Sequence, residues 1–245
     1  SEYIKARKKA QKTYRTQLLK GTYPYLQALD DLVSFSEIAS EVELGLVEIP
    51  LDSIVGTRTA GRKQAFASNF MPLLEETSEF ARKWTALYNA HMEEGIRDPI
   101  TAVEFMNRFY VVEGNKRVSV LKYVDAVSIQ AHVTRMIPKR TDSLENRIYF
   151  EFLDFYRSTS INYLDFSQEG CYTKLLTLLG KSMEEPWTDD EKMDFHSSYI
   201  HFLDIYEEKG GKSLPLKAGD AFLTYLEIYG YKDLLNKSYK ELREE

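Results

Sequence analysis

The stretch Tyr110-Val-Val-Glu-Gly-Asn-Lys-Arg-Val-Ser-Val-Leu-Lys122 constrains the chain most, because an apolar strand there runs into a helix through a single glycine. Gly114 allows the sharp turn. The first helical N–H groups, around Asn115 to Val118, are then left at the positive end of a helix without intrahelical acceptors. Lys116 and Arg117 add cationic charge at the same end. Such a junction is suited to holding a phosphate. Strand-to-helix junctions that bind nothing also use a glycine and tolerate exposed cations, so the flanking pattern decides between the two.

Upstream, Glu94-Gly-Ile-Arg-Asp-Pro-Ile100 leads into Thr101-Ala-Val-Glu-Phe105, a Met-Asn-Arg turn and Phe109-Tyr-Val-Val112, which predicts a hairpin feeding Gly114. Downstream, Val127-Ser-Ile-Gln-Ala-His-Val133 alternates apolar and polar residues as a half-buried strand does. The order of Gly-x-x-x-Pro-Ile, hairpin, glycine with basic residues, helix and alternating strand resembles the ParB N-terminal domain of the ParB/sulfiredoxin superfamily. Val47-Glu-Ile-Pro-Leu-Asp-Ser-Ile-Val55, followed by Arg58 and Arg62, looks like that domain's opening strand and arginine-bearing segment, so the resemblance covers about residues 44 to 137.

The departures bear on what the resemblance implies. ParB proteins carry Gly-Glu-Arg-Arg-x-Arg-Ala where this chain has Gly114-Asn-Lys-Arg-Val-Ser-Val120: Arg117 keeps its place, Lys116 keeps the charge, and Asn115 and Ser119 replace a carboxylate and a cation. That box grips the triphosphate of CTP in ParB. The resemblance therefore implies a phosphate or nucleotide site at Gly114, Asn115, Lys116 and Arg117, with Arg58 or Arg62 closing from the opposite loop and CTP specificity less well supported. Sulfiredoxins place their reactive Cys after the glycine; Asn115 has no thiolate, so sulfinic-acid reduction is not implied. Leu144-Glu-Asn-Arg147 stands where ParB proteins have a Glu-Asn pair that contacts nucleotide and metal, which would make Glu145 and Asn146 ligands of a nucleotide with Mg²⁺. A solvated helix start explains those letters as well.

The segment Phe66 to Tyr88 lies outside the family pattern. Ser78 is a suitable N-cap, and Phe80, Trp84, Leu87 and His91 share one helical face, which predicts a helix packed on the sheet. Asn69, between Phe66 and Phe70, fits a buried turn or a pocket rim.

With 245 residues and 43% hydrophobic content the chain can bury a substantial core. No apolar run approaches the roughly 20 residues of a membrane span and no signal peptide is visible, so a cytoplasmic protein without membrane contact is expected. The lone Cys171 excludes an intramolecular disulfide and suits a reducing compartment. A net charge of -6 argues against a surface wholly devoted to nucleic acid. Any DNA contact should be weak and salt-sensitive, carried by Lys5, Arg7, Lys8 and Lys12 on an N-terminal helix and by Arg135, Lys139 and Arg140. That helix should dock through Tyr3, Ala10, Tyr14 and Leu18.

From about residue 141 the texture turns helical, with predicted helices over 143–157 and 171–180, a capping box at Thr188-Asp-Asp-Glu191 opening a long helix, and another ended by Gly230. The expected fold is α+β: a small mixed ParB/sulfiredoxin-like sheet with packed helices, then an all-helical C-terminal region. The expected domains are a helical extension over 1–43, a phosphate- or nucleotide-binding domain over 44–140 and the helical region over 141–245. No helix-turn-helix motif is readable in the last.

Other chemistry is sparse. His196 and His201 are five apart, a poor spacing for one metal on a straight helix, and no paired-Cys, Walker or Rossmann motif occurs. Glu113 is the one carboxylate beside the phosphate loop. It either faces solvent at a strand end or, as in small-molecule kinases of the superfamily, orients a metal or takes a hydroxyl proton. Three functions follow: a nucleotide-responsive regulatory or DNA-associated protein acting through a homodimer or partner protein, an enzyme (kinase or ParB-like nuclease), or a structural interaction module without ligand.

Overall fold

In the computed structural model, residues 1–61 and 63–245 are described, with the backbone alone for Tyr239. The chain forms two compact units, Ser1–Lys139 and Arg140–Glu245.

The first unit contains α1 (Glu2–Leu19), β1 (Gln27–Ala28), α2 (Leu29–Leu32), β2 (Ile38–Pro50), β3 (Ile54–Thr57), α3 (Glu79–Glu94), β4 (Ile100–Phe105), β5 (Arg108–Glu113), α4 (Asn115–Tyr123) and β6 (Ser128–Pro138). The six strands make one mixed sheet in the order β1-β3-β5-β4-β6-β2, with β1, β3 and β5 parallel and the β4–β5 hairpin antiparallel. The expected opening strand over 47–55 is instead two strands. At Pro50, which lacks an N–H for the ladder, a 3₁₀ turn over Leu51–Ser53 breaks the pairing with β6 and sends the chain across to the β3 position.

One face of the sheet carries the main core, in which Ile54, Ile100, Phe109 and Val111 meet Tyr3 and Ala10 of α1, Phe80 and Trp84 of α3 and Val118 and Leu121 of α4. Alternation along each strand puts Val103, Tyr110 and Met136 on the opposite face, where Leu29 of α2 joins them. Helix α3 forms as its sequence dictates. The Ser78 hydroxyl accepts the Ala81 N–H at 3.1 Å, Phe80, Ala81 and Trp84 are buried, and Gly95 at φ 81° ends it. Trp84 stacks on Tyr88 and meets Tyr3 and Tyr123 edge-on, joining α1, α3 and α4 through rings. Leu18 departs from the expected docking face: the buried stripe of α1 ends near Ala10 and Leu18 is exposed.

Two other expectations are corrected by packing. Arg135, expected among surface cations, is buried, and its Nε donates to Glu104 Oε2 at 2.7 Å, while Glu104 Oε1 accepts the Asn107 N–H at 2.6 Å. A charge taken from water at the centre of a sheet needs a partner, and the β4–β6 pairing, with Glu104 opposite Arg135, supplies it. Arg7, expected to face DNA, instead donates to the Leu73 carbonyl at 3.0 Å and pairs with Glu75.

The second unit is helical: α5 (Leu144–Thr159), α6 (Cys171–Leu178), α7 (Asp189–Glu208), α8 (Ala218–Tyr229), α9 (Tyr231–Leu235) and α10 (Tyr239–Arg243). The Thr188 capping box opens α7, and Phe195, Tyr199 and Phe202 interlock with Phe222 of α8. Cys171 opens α6, where it is half-buried and burial pushes its thiol above the usual range. No helix among the described residues is long and apolar enough to cross a membrane.

Candidate functional site

Strands β3 and β5 end side by side, and the chain leaves β5 through Gly114 at φ 115°, ψ 23°. A Cβ there would lie 2.6 Å from Ile100 Cγ2, so both the conformation and the space require glycine. The turn starts α4 immediately. Val118 is its first residue to donate along the helix, to the Gly114 carbonyl at 3.0 Å, so the Asn115, Lys116 and Arg117 N–H groups precede the first intrahelical bond.

Thr57, at the end of β3, supports this corner: its hydroxyl donates to the Val111 carbonyl at 3.1 Å, as does the Arg58 N–H at 2.9 Å. The Asn115 amide approaches the Thr57 hydroxyl at 3.5 Å, while Asn115 Oδ1 is buried without a hydrogen-bond partner. A buried acceptor left unpaired costs about 1–3 kcal/mol, which a donor entering the corner would recover.

In front of α4's N-terminus lies a cleft of about 660 Å³ walled by Glu113, Gly114, Asn115, Lys116 and Arg117, with Phe66 among its apolar lining. A second cleft of about 750 Å³, bounded by Tyr25, Gly61 and Gln64, shares Phe80, Lys83 and Lys116 with the first. The two clefts meet at these three residues, a lining called the trough below, and Lys116 Nζ lies 5.2 Å from the centre of the Phe80 ring.

The predicted residues divide into those on the trough and those elsewhere. Gly114, Asn115 and Lys116 are at its mouth, and Glu113 is exposed on its wall, in register with Thr101 of β4. Arg117 lines it too, but its Nη1 donates to the Asp98 and Pro99 carbonyls at 3.0 and 2.8 Å, holding the entry to β4. Ser119 is fully buried and accepts the Trp84 indole N–H at 2.8 Å. Arg58 is half-buried, its backbone held by Val111 and Asp30, and its side chain is in neither cleft wall. Arg62 lies outside the described residues. Glu145 and Asn146 belong to the second unit. There Asn146 is buried, its Oδ1 accepts the Thr141 N–H at 2.9 Å, and its own N–H donates to Ser143, so it shapes the start of α5. Asn69 makes a turn, accepting the Met71 N–H and donating to Thr13 of α1.

Sequence reasoning missed Phe80, Lys83 and Glu79 as parts of the site. Their signal was present: Glu79 and Lys83 are spaced i, i+4 beside the buried stripe, and their exposed ion pair at 3.2 Å is the result. Among the described residues no group of His, Cys, Asp or Glu is arranged to hold a metal ion.

No family model matches the chain, and no curated protein does. One solved structure similar to it is sulfiredoxin from Arabidopsis thaliana, at 18% identity over 36% of this chain and 82% of that one, with a TM-score of 0.26. A likeness of that degree carries no functional argument.

Proposed function

We propose that the first unit is a divergent ParB-like domain that binds a phosphate-bearing ligand, foremost a nucleotide, at the N-terminus of α4, as part of a cytoplasmic regulatory protein. The observation that carries this reading is the Gly114 corner, which sets the first turn of α4, with its N–H groups free of intrahelical acceptors and with Lys116, on the wall of a cleft of about 660 Å³. The phosphates would sit against the N–H groups of Asn115 to Arg117, with Lys116 neutralising them and a donor on the ligand satisfying Asn115 Oδ1. Ligand occupancy, rather than the chain's own cations, would govern any association with DNA through a homodimer or partner protein, since Arg135 and Arg7 are engaged within the fold. A thermal-shift panel of nucleotides with and without Mg²⁺ tests this: at least one triphosphate should raise the melting temperature. A flat panel up to millimolar ligand would oppose it.

A second reading, a small-molecule kinase, is favoured by one observation, the place of Glu113 on the wall of the same trough. On that reading Glu113 would take the proton of an acceptor hydroxyl, and Glu113→Gln would leave nucleotide affinity intact while abolishing product formation.

A further inference from the structure

The phosphate reading leaves open which second cation serves the trough, because Arg117 is tied to the Asp98 and Pro99 carbonyls. Lys83 of α3 is the other lysine on the walls of both clefts. It is not unoccupied: its Nζ pairs with Glu79 at 3.2 Å, and both side chains are largely exposed, at 62% and 71%. Glu79 also lines the larger cleft and lies in the field of Arg82 and Lys116 as well as Lys83, its strongest partner, which together hold its carboxyl below the usual range. A carboxylate is thus already standing among the cations of the trough.

We infer that Glu79 is a resident counter-ion that a polyphosphate displaces, and that Lys83 is the second phosphate-binding cation of this site. This inference rests on the phosphate reading above. The exchange is favoured by magnitude. An exposed i, i+4 pair shifts an equilibrium by only about twofold, whereas a charge-assisted hydrogen bond to a phosphate is worth roughly tenfold or more. The ligand class follows from the lining: Lys116 and Lys83 both border both clefts, so a ligand with several linked phosphates would engage the two cations together, whereas a monophosphate held at α4 would leave the Lys83–Glu79 pair intact. Helix α3, which lies outside the resembled family pattern, thereby sets how many phosphates the site prefers.

The test is a calorimetric titration of inorganic tripolyphosphate into the full chain and into K83M, E79Q and the double variant, at one fixed salt concentration. Both side chains are exposed, and matching melting temperatures verify that each variant is folded. Binding should weaken about tenfold in K83M and tighten about two- to fivefold in E79Q. The double variant should gain less over K83M than E79Q gains over the wild type, because Lys83 is the cation that Glu79 chiefly occupies. K83M binding like the wild type, E79Q failing to tighten, or an E79Q gain that persists undiminished without Lys83 would each overturn the inference while leaving the phosphate site standing. If neither wild type nor E79Q binds tripolyphosphate, the phosphate reading itself is overturned.

Discussion

At the scale of single residues, the junction between β5 and α4 separates groups that build the site from groups that would meet a ligand. Gly114→Ala would place a methyl 2.6 Å from Ile100 Cγ2 in a backbone conformation that L-residues avoid, so urea unfolding should show a loss of about 1–3 kcal/mol. Lys116 and Arg117 are neighbours in sequence with different expected phenotypes. Lys116→Met should weaken nucleotide binding by about 1.5–3 kcal/mol and leave stability nearly unchanged. Arg117→Ala releases the Asp98 and Pro99 carbonyls and should lower the melting temperature as well as any affinity. Calorimetry and thermal melting on the same preparations distinguish the two. Equal losses of affinity without loss of stability would mean that Arg117 reaches the ligand as directly as Lys116.

At the scale of elements, the hairpin, the glycine corner, the alternating β6 and the cap of α3 were legible because each is written locally, in a period, a turn residue or a capping side chain. What was not legible is set by contacts distant in sequence. Nothing near Arg135 announces Glu104 on another strand, and nothing near Ser119 announces the Trp84 indole on α3. Phe80 was read correctly as an apolar contact of α3, yet its place in the lining of both clefts, with Lys116 of α4 over its ring, depends on where α4 begins. The β4–β6 pair makes a strong prediction: Glu104→Ala removes the carboxylate bonded to the buried Arg135 guanidinium and strips the Asn107 N–H of its acceptor, costing about 3–5 kcal/mol. A loss below about 1 kcal/mol in chemical denaturation would show that water reaches the pair.

At the scale of the whole molecule, aromatic residues decide the response to alkali in both units. Burial, above all, pushes the hydroxyls of Tyr3 in the first unit and Tyr199 in the second from 10.0 up to about 12. The unfolded chain therefore releases these protons first. Their contribution to stability is fully present below about pH 10 and is lost as pH rises through about 12, so denaturant midpoints should fall steeply across that window for both units. Midpoints that stay level to pH 12 would contradict the burial of these rings. The net charge is -6, and Arg7 and Arg135 are engaged within the fold; on the proposed function the ligand is held beside α4 and not by these two cations.

The most direct measurement of the central claim is a nucleotide titration followed through the backbone amide resonances of the isotope-labelled chain. The N–H signals of Asn115, Lys116 and Arg117 should move most, in saturable fashion and together with side-chain signals of Lys116, and Lys116→Met should shift the curve to higher ligand concentration. Saturable binding whose largest shifts lie elsewhere, with the Gly114 to Val118 amides unmoved, would contradict that claim.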